Sequence, residues 1–491
     1  MIVDGPDQVA PLRERIRILE LKLEERDRAI KDGDRQIALL MDRVEQLTAR
    51  IVELEEKLAQ NSSNSSQPPS ADPPQAKETR RRRKKGKRKR GGQRGHKGHH
   101  REMVPCDQVD EFVERFPETC RDCGCRLART PDRAPERHQV IEAPPIEPHV
   151  IEYRMHQVRC PCCRTMNREG LPEGVSWSPF GPRLVAIVGL LTGAYRLSKR
   201  NAANLLEDLL GIRLSVGALS RNEQRLSSAL AGPVNEAHEY VQSRPVKYTD
   251  ATGWRQGRAR MQLWTLACAL VTVFKITADG TKETVERLVG EVKGVLVSDR
   301  AAVFLFWQMK QRQVCWAHLI RTFVAFSQRD RSSRAIGDGL LDQAHRVFKW
   351  WHRVRDGNLS RASFQRYIRA AKREVKRLLE GGSACDHAKT RGTCKNMLKH
   401  FEAMWTFARV EGVEPTNNHS ERELRPAVIW RKTSFATQSD RGTRFVERIM
   451  TVVATLRKQR RHVLEYLTAA YGAALKHQTP PSLLPAEPDA T

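Results

Sequence analysis

No run of apolar residues in this 491-residue chain is long enough to cross a bilayer. The longest, such as LWTLACALVTVF (263–274), fall well short. The first residues, MIVDGPDQ, lack the basic and apolar stretches of a secretory leader, so the expected compartment is the cytosol. Acidic residues are also scarce. Asp and Glu number 58 against 86 Lys and Arg, a net charge of +28. Such an excess disfavours acidic partners and points to a polyanion. No amphipathic membrane helix accompanies it, so the expected polyanion is nucleic acid and no membrane partner is expected.

What the chain has in abundance is unevenly placed. Residues 1–60 hold 11 basic and 14 acidic side chains, whereas residues 77–101 hold 14 basic and one acidic. The remaining excess is spread over the rest, so the charge is partly a tail and partly a property of the folded body. Eleven cysteines are present, and seven of them fall between Cys106 and Cys163. In a cytosolic chain that clustering points to a metal before disulfides.

The order of features predicts a multidomain α+β protein. Over residues 1–60, Ile16, Leu23, Ile30, Ile37, Val44, Ile51 and Leu58 recur every seven residues, with Leu19, Leu40, Leu47 and Leu54 three places on. This repeat predicts a leucine-zipper-like coiled coil, hence at least a dimer; a lone amphipathic helix is the alternative. Arg26 and Gly33 interrupt the seam. A linker and basic segment follow over 61–105. Arg81, Arg82, Lys84, Lys85, Arg88 and Arg90 there cannot fold on themselves and should contact phosphates.

Residues 106–172 carry two CxxC turns, and Cys120, Cys123, Cys160 and Cys163 are chosen as ligands of a structural zinc ribbon, with Cys125 and Cys162 as possible substitutes. Residues 178–240 read as helices, with Gly211 ending the second and Ser215 capping the third. That third helix carries Ser220, Arg221, Asn222 and Arg225. A helix-turn-helix and a plain bundle both fit the pattern, with Arg221 and Arg225 as DNA contacts in the first case.

The segment 241–440 predicts an α/β core with a helical insertion at about 320–412, and 441–491 supplies C-terminal helices and a disordered tail. PVKYTD ends on Asp250 and GVLVSD on Asp299, which predicts two aspartates at the C-terminal ends of strands, where ligands of α/β sheets sit. Glu421, in PTNNHSERELRP, would complete an oxygen-only site suited to Mg²⁺ or Mn²⁺. With 58 acidic residues in the chain, the pattern alone does not single out these three. Asn417 and Asn418 read as capping residues of the glutamate's helix or as DNA contacts, with capping favoured. Arg422 and Arg425 read as phosphate partners, with an i, i+4 salt bridge between Glu421 and Arg425 as the alternative, and Glu423 as a surface charge. Cys315 and His318, at i and i+3, read as core residues or as half of a metal site with no second half evident, core packing being favoured, and Trp316 as core near DNA.

The strings GGQRGHKGH (91–99), TDATGWR (249–255), VSDRAAVF (297–304), QVCWAHLIRTF (313–323) and PTNNHSERELRP, in this order, resemble the IS66 family of bacterial insertion-sequence transposases. Ala251 stands where many relatives carry Glu, and Arg300-Ala301 where many carry Gly-Tyr. The resemblance implies an RNase H-like core, the catalytic triad Asp250, Asp299 and Glu421, and transposon-end and target DNA as substrates. It also implies a bacterial, nucleoid-associated setting and small accessory proteins of the same element. Two other readings fit parts of the chain: a dimeric zinc-containing DNA-binding regulator, and a catalytically inactive transposase relic.

Overall fold

The computed structural model describes residues 9–65, 72 and 102–486. The basic segment with Arg81, Arg82, Lys84, Lys85, Arg88 and Arg90, and the GGQRGHKGH string, lie outside the described residues. In chain order the helices begin with α1 (Val9–Leu58), α2 (Pro182–Gly189), α3 (Lys199–Leu210), α4 (Val216–Ala229), α5 (Ala231–Ser243) and α6 (Lys282–Val289). They continue with α7 (Trp316–Ser327), α8 (Arg331–Arg355), α9 (Arg361–Gly382) and α10 (Ala388–Lys399). The last are α11 (Asn418–Ser434), α12 (Asp440–Lys458) and α13 (Val463–Leu475). Strands are β1 (Gln157–Arg159), β2 (Met166–Arg168), β3 (Val246–Gln256), β4 (Ala259–Ala267), β5 (Thr272–Thr277), β6 (Val295–Ser298) and β7 (Arg312–Val314).

The chain divides into two compact units. Of the described residues, the first comprises 9–65, 72, 318–352 and 373–395. Its α1 is one continuous helix, and the heptad residues Ile16, Leu23, Ile30, Ile37, Val44, Ile51 and Leu58 are all exposed on it. The C-terminal end of α1 is tied down within this unit. Glu56 accepts from Lys389 at 2.7 Å and pairs with His387 at 3.2 Å and Arg329 at 3.8 Å.

The second unit comprises the described residues 102–317, 353–372 and 396–486. Its five-stranded sheet has the order β5-β4-β3-β6-β7. The strands β3, β4 and β5 pair antiparallel, whereas β6 and β7 run parallel to β3. Gly294 allows the start of β6 to come against β3: it sits at φ 72°, and a Cβ there would lie 2.3 Å from the Pro245 oxygen.

Alternate side chains of β3 face opposite ways. Tyr248 stacks at 5.1 Å on His419 of α11, while Lys247 donates to the Gln242 oxygen at the end of α5. So α11 covers one face and α5 the other. Trp254, Trp264, Phe274, Leu424, Trp430, Ile449 and Leu456 belong to one continuous buried core.

The edge strand β5 is closed by α12. Main-chain N–H groups of Thr272, Phe274 and Ile276 donate to Thr455, Thr451 and Glu447 at 3.1, 3.0 and 2.5 Å. Four residues of helix rise about 6 Å and two of strand about 6.6 Å, so the two ladders keep step. The edge that would otherwise be a template for another chain is thereby occupied. The helices after residue 440 are thus part of the sheet's own packing, where the sequence had set them apart as a C-terminal segment.

The turn readings around α3 and α4 agree with the structure. Gly211 takes φ 65° as it ends α3, and Ser215 accepts from the Ala218 amide at the head of α4. The α4 helix is embedded, however: Asn222, Glu223, Leu226 and Ser227 are buried. Only a narrow stripe with Arg221 and Arg225 remains exposed, and Arg225 donates to Ser178. Asn222 therefore faces the interior.

Candidate active site and metal-binding segments

The register of the sheet aligns the two aspartates. Val246, Lys247 and Tyr248 pair with Val295, Leu296 and Val297. Carrying this register two residues further sets Asp250 level with Asp299, and neighbouring strands lie about 4.8 Å apart. On the other side Asp250 pairs with Thr265 of β4, whose hydroxyl reaches the Asp250 main-chain oxygen at 3.3 Å. Ser298 pairs with Val314, so Cys315 follows on the same level as Asp299.

Asp299 stands just past β6, as expected, but Asp250 is in the middle of β3. That strand continues to Gln256 because β4 keeps pairing with it after the parallel partner β6 has ended. Asp250 is at the end of the parallel ladder rather than of the strand.

A buried arginine shapes the second aspartate's turn. Arg312 is wholly inaccessible and donates to the main-chain oxygens of Asp299 and Ala301 at 2.7 and 3.3 Å and to Ser298 Oγ at 3.2 Å. Burial pulls its pKa down to about 10, partly offset by Asp299. The Asp299 carboxylate itself accepts from the Ala301 amide at 3.0 Å. The only sequence signal for Arg312 was an arginine heading an otherwise buried strand.

Glu421 lies in the first turn of α11. The helix start is held from below by Asn417, which is fully buried. Its side-chain amide donates to the Thr249 oxygen at 2.8 Å, and its main-chain N–H points to Cys315 Sγ at 3.1 Å. Asn417 makes no side-chain cap. It anchors the helix to β3 instead of capping it, and its burial removes it from any DNA contact. Trp316 is likewise fully buried, with its indole N–H on the Met404 oxygen at 2.6 Å and its ring against Trp405, so it packs the interior and does not meet DNA.

Cys315 had no evident partner in the sequence; in the fold its sulfur lies within 4.8 Å of a Glu421 carboxylate oxygen. Among the described residues, Asp250, Asp299 and Glu421 do not form a group whose oxygens all lie within 4.8 Å of one another.

Beneath α11 a polar knot replaces the expected surface charge at Glu423. Lys458 pairs with Glu423 at 3.5 Å, reaches His419 Nε2 at 2.6 Å and bonds Thr272 Oγ1. Burial first, then the Lys458 charge, push the His419 pKa down to about 4. His419 is therefore neutral at pH 7. Burial also lowers the Lys458 pKa. Arg422 and Arg425 are exposed on the same helix.

The cysteine segment shows an internal symmetry. Gly124 N–H donates to the Cys120 oxygen and Arg164 N–H to the Cys160 oxygen, at 3.0 and 2.9 Å. Cys120 N–H donates to the Cys125 oxygen and Cys160 N–H to the Thr165 oxygen, both at 2.9 Å. Thr119 bridges Arg126 as Arg159 pairs with Met166. The residue after each second cysteine, Gly124 and Arg164, is left-handed at φ 75° and 59°.

Two equivalent turns thus single out Cys120 with Cys123 and Cys160 with Cys163, which sequence left exchangeable with Cys125 and Cys162. Amides of Cys123 and Asp122, then the Cys123 side chain, lower the Cys120 pKa. Hydrogen bonding to Thr165 and Cys160 brings Cys163 to about 7. No residue from 102 to 172 is buried, so this segment has no apolar core of its own. A tetrathiolate zinc would fit that donor set and that lack of core. The sulfurs of the two turns do not all lie within 4.8 Å of one another in this structure.

No curated protein matches the chain. A family model described as a family of unknown function (DUF6444) matches residues 7–102. A model described as the transposase IS66 family matches residues 178–445. That span is more than half of the 491 residues and includes Asp250, Asp299 and Glu421, and the chain belongs to the IS66 transposase family.

Proposed function

We propose that the protein cuts DNA at transposon ends and joins the freed 3′-OH to target DNA, with Asp250, Asp299 and Glu421 as its catalytic carboxylates. The observation that carries this reading is that the register sets Asp250 of β3 level with Asp299, just past the neighbouring parallel strand β6, while the helix that bears Glu421 covers the Tyr248 side of β3. Three antiparallel strands followed by two parallel ones, in the order β5-β4-β3-β6-β7, support an RNase H-like core.

All three side chains offer oxygen only, which suits Mg²⁺ or Mn²⁺. Bound between them, such ions would lower the pKa of the attacking water and offset charge on the leaving oxygen. In the first step the water oxygen attacks phosphorus, the bond to the bridging 3′ oxygen breaks and a 3′-OH leaves. In the second that hydroxyl attacks a target phosphorus, the target's own bond to its bridging 3′ oxygen breaks, that oxygen leaves as a 3′-OH, and the transposon 3′ end is joined to the target 5′ phosphate. No step needs a serine or tyrosine nucleophile. Arg312 holds the turn that presents Asp299, and Asn417 holds the turn that presents Glu421. Arg422 and Arg425, exposed one and four residues beyond Glu421, are in position to bind scissile-strand phosphates.

The other parts serve DNA binding and assembly in this reading. Cys120, Cys123, Cys160 and Cys163 hold a structural zinc. The exposed heptads of α1 pair two chains. The residues 81–90 arginines and lysines, with Arg221 and Arg225, add phosphate contacts. The test is incubation of the full chain with labelled DNA carrying the element's ends and a plasmid target. Nicked ends with free 3′-OH groups and joined products, both dependent on Mg²⁺ or Mn²⁺, are expected. DNA binding without either product would refute the catalytic reading.

A further inference from the structure

A cavity of about 310 Å³ opens on the side of α11 away from Glu421. Positions 423, 426 and 430 lie roughly 140–200° around the helix from 421. The walls are apolar: Pro426 and the edge of Trp430 of α11, Met450, Val453 and Ala454 of α12, and the almost wholly buried Phe274 of β5. Arg196, the exposed Arg457 and the Glu423–Lys458 pair also line it. The remaining wall comes from a π-helical turn, Leu190–Ala194, that continues α2. Gly193 in that turn has no room for a Cβ, which would lie 2.5 Å from Ile449. Such wide turns interrupt a helix at a local cost and recur at functional sites.

The dimensions exclude a duplex and sit at the small end of ligand pockets, about 300–1,000 Å³. An apolar slot takes the face of any base, and arginines in its lining take a phosphate. We propose that this cavity receives one unpaired DNA base, with the adjoining phosphate held by Arg196 and Arg457. The proposal rests on the transposase reading above. It gives α11 two functions: one side presents a catalytic carboxylate, and the other grips a nucleotide drawn out of the same DNA. Glu423, paired to Lys458, lies in the cavity lining, where a base edge would meet a carboxylate acceptor.

The test compares three synthetic DNAs bound by the full chain: a fully paired duplex, the same duplex with one bulged thymidine, and that bulge with an abasic residue in its place. The bulged thymidine should bind roughly five-fold or more tighter than the other two, the amount one stacked base contributes. Ala454→Phe, which fills the cavity, and Arg457→Ala, at its exposed rim, should each remove most of that preference. Equal binding of the three DNAs by the unaltered chain would overturn the proposal. So would an unchanged preference in an Ala454→Phe protein that melts like the parent. Failure of the unaltered chain to bind any of the three would sink the transposase reading itself, and this inference with it.

Discussion

The side-chain amide of Asn417 donates to the main-chain oxygen of Thr249 at 2.8 Å, pinning the first turn of α11 to the residue before Asp250. Both groups are buried. Replacing Asn417 by Ala would leave the Thr249 oxygen without this donor, at about 1–3 kcal/mol. Asn417→Ala should therefore lower the melting temperature and reduce strand cleavage by more than it reduces DNA affinity. Equal losses in cleavage and affinity would mean that the bond holds the fold and has no special bearing on Glu421.

The twin cysteine turns make a sharp distinction among neighbouring residues. Cys120→Ser or Cys160→Ser should abolish the binding of one zinc per chain, read by elemental analysis. Cys125→Ser and Cys162→Ser should retain it, because neither residue occupies a ligand place in the repeated turn. Metal loss in either of the latter would reverse the assignment.

His419 predicts a pH effect with a definite sign. Its folded pKa is about 4, below the ordinary value of 6.5. Between those values the unfolded chain binds more protons, so stability falls as pH drops from 6.5 towards 4. The nearby groups are Lys458, which opposes protonation, Glu423 and Tyr248. In His419→Gln the loss of melting temperature over that pH range should be shallower than in the parent. An unchanged slope would show that other groups dominate the acid limb.

The exposed seam of α1 predicts association. Val44→Asp places a charge at a core position of the heptad and should convert a dimer into a monomer in sedimentation equilibrium. A monomeric parent chain would refute pairing through α1.

Much of this molecule can be read from period and punctuation. The heptad of α1, the glycine after α3 and the serine before α4 are local signals, and each acts through its own backbone. The strands that carry Asp250 and Asp299 were also legible, as alternating or apolar runs. What escaped was set by partners distant in sequence. Asp250 looked like a strand end because the alternating run PVKYTD stops there, yet β4 pairs with it through Thr265 and extends the ladder past it to Gln256. Asn417 sits where a helix cap belongs, and its amide is taken instead by Thr249, 168 positions earlier. Glu423 resembled a solvated charge because its partner, Lys458, lies 35 positions later, at the last residue of the next helix. The choice of Cys120, Cys123, Cys160 and Cys163 over Cys125 and Cys162 gained a geometric reason only from two turns 40 residues apart that repeat the same hydrogen bonds.

The central claim is that Glu421 acts with Asp250 and Asp299 in cutting DNA. Its most direct test is Glu421→Gln, a change of one oxygen to nitrogen on an otherwise retained helix, assayed with labelled end DNA in Mg²⁺. The account predicts end binding close to that of the parent, with cleavage and joining reduced by a factor on the order of a thousand, about 4 kcal/mol of lost transition-state stabilisation. Cleavage at the parent's rate by a folded Glu421→Gln protein would contradict it.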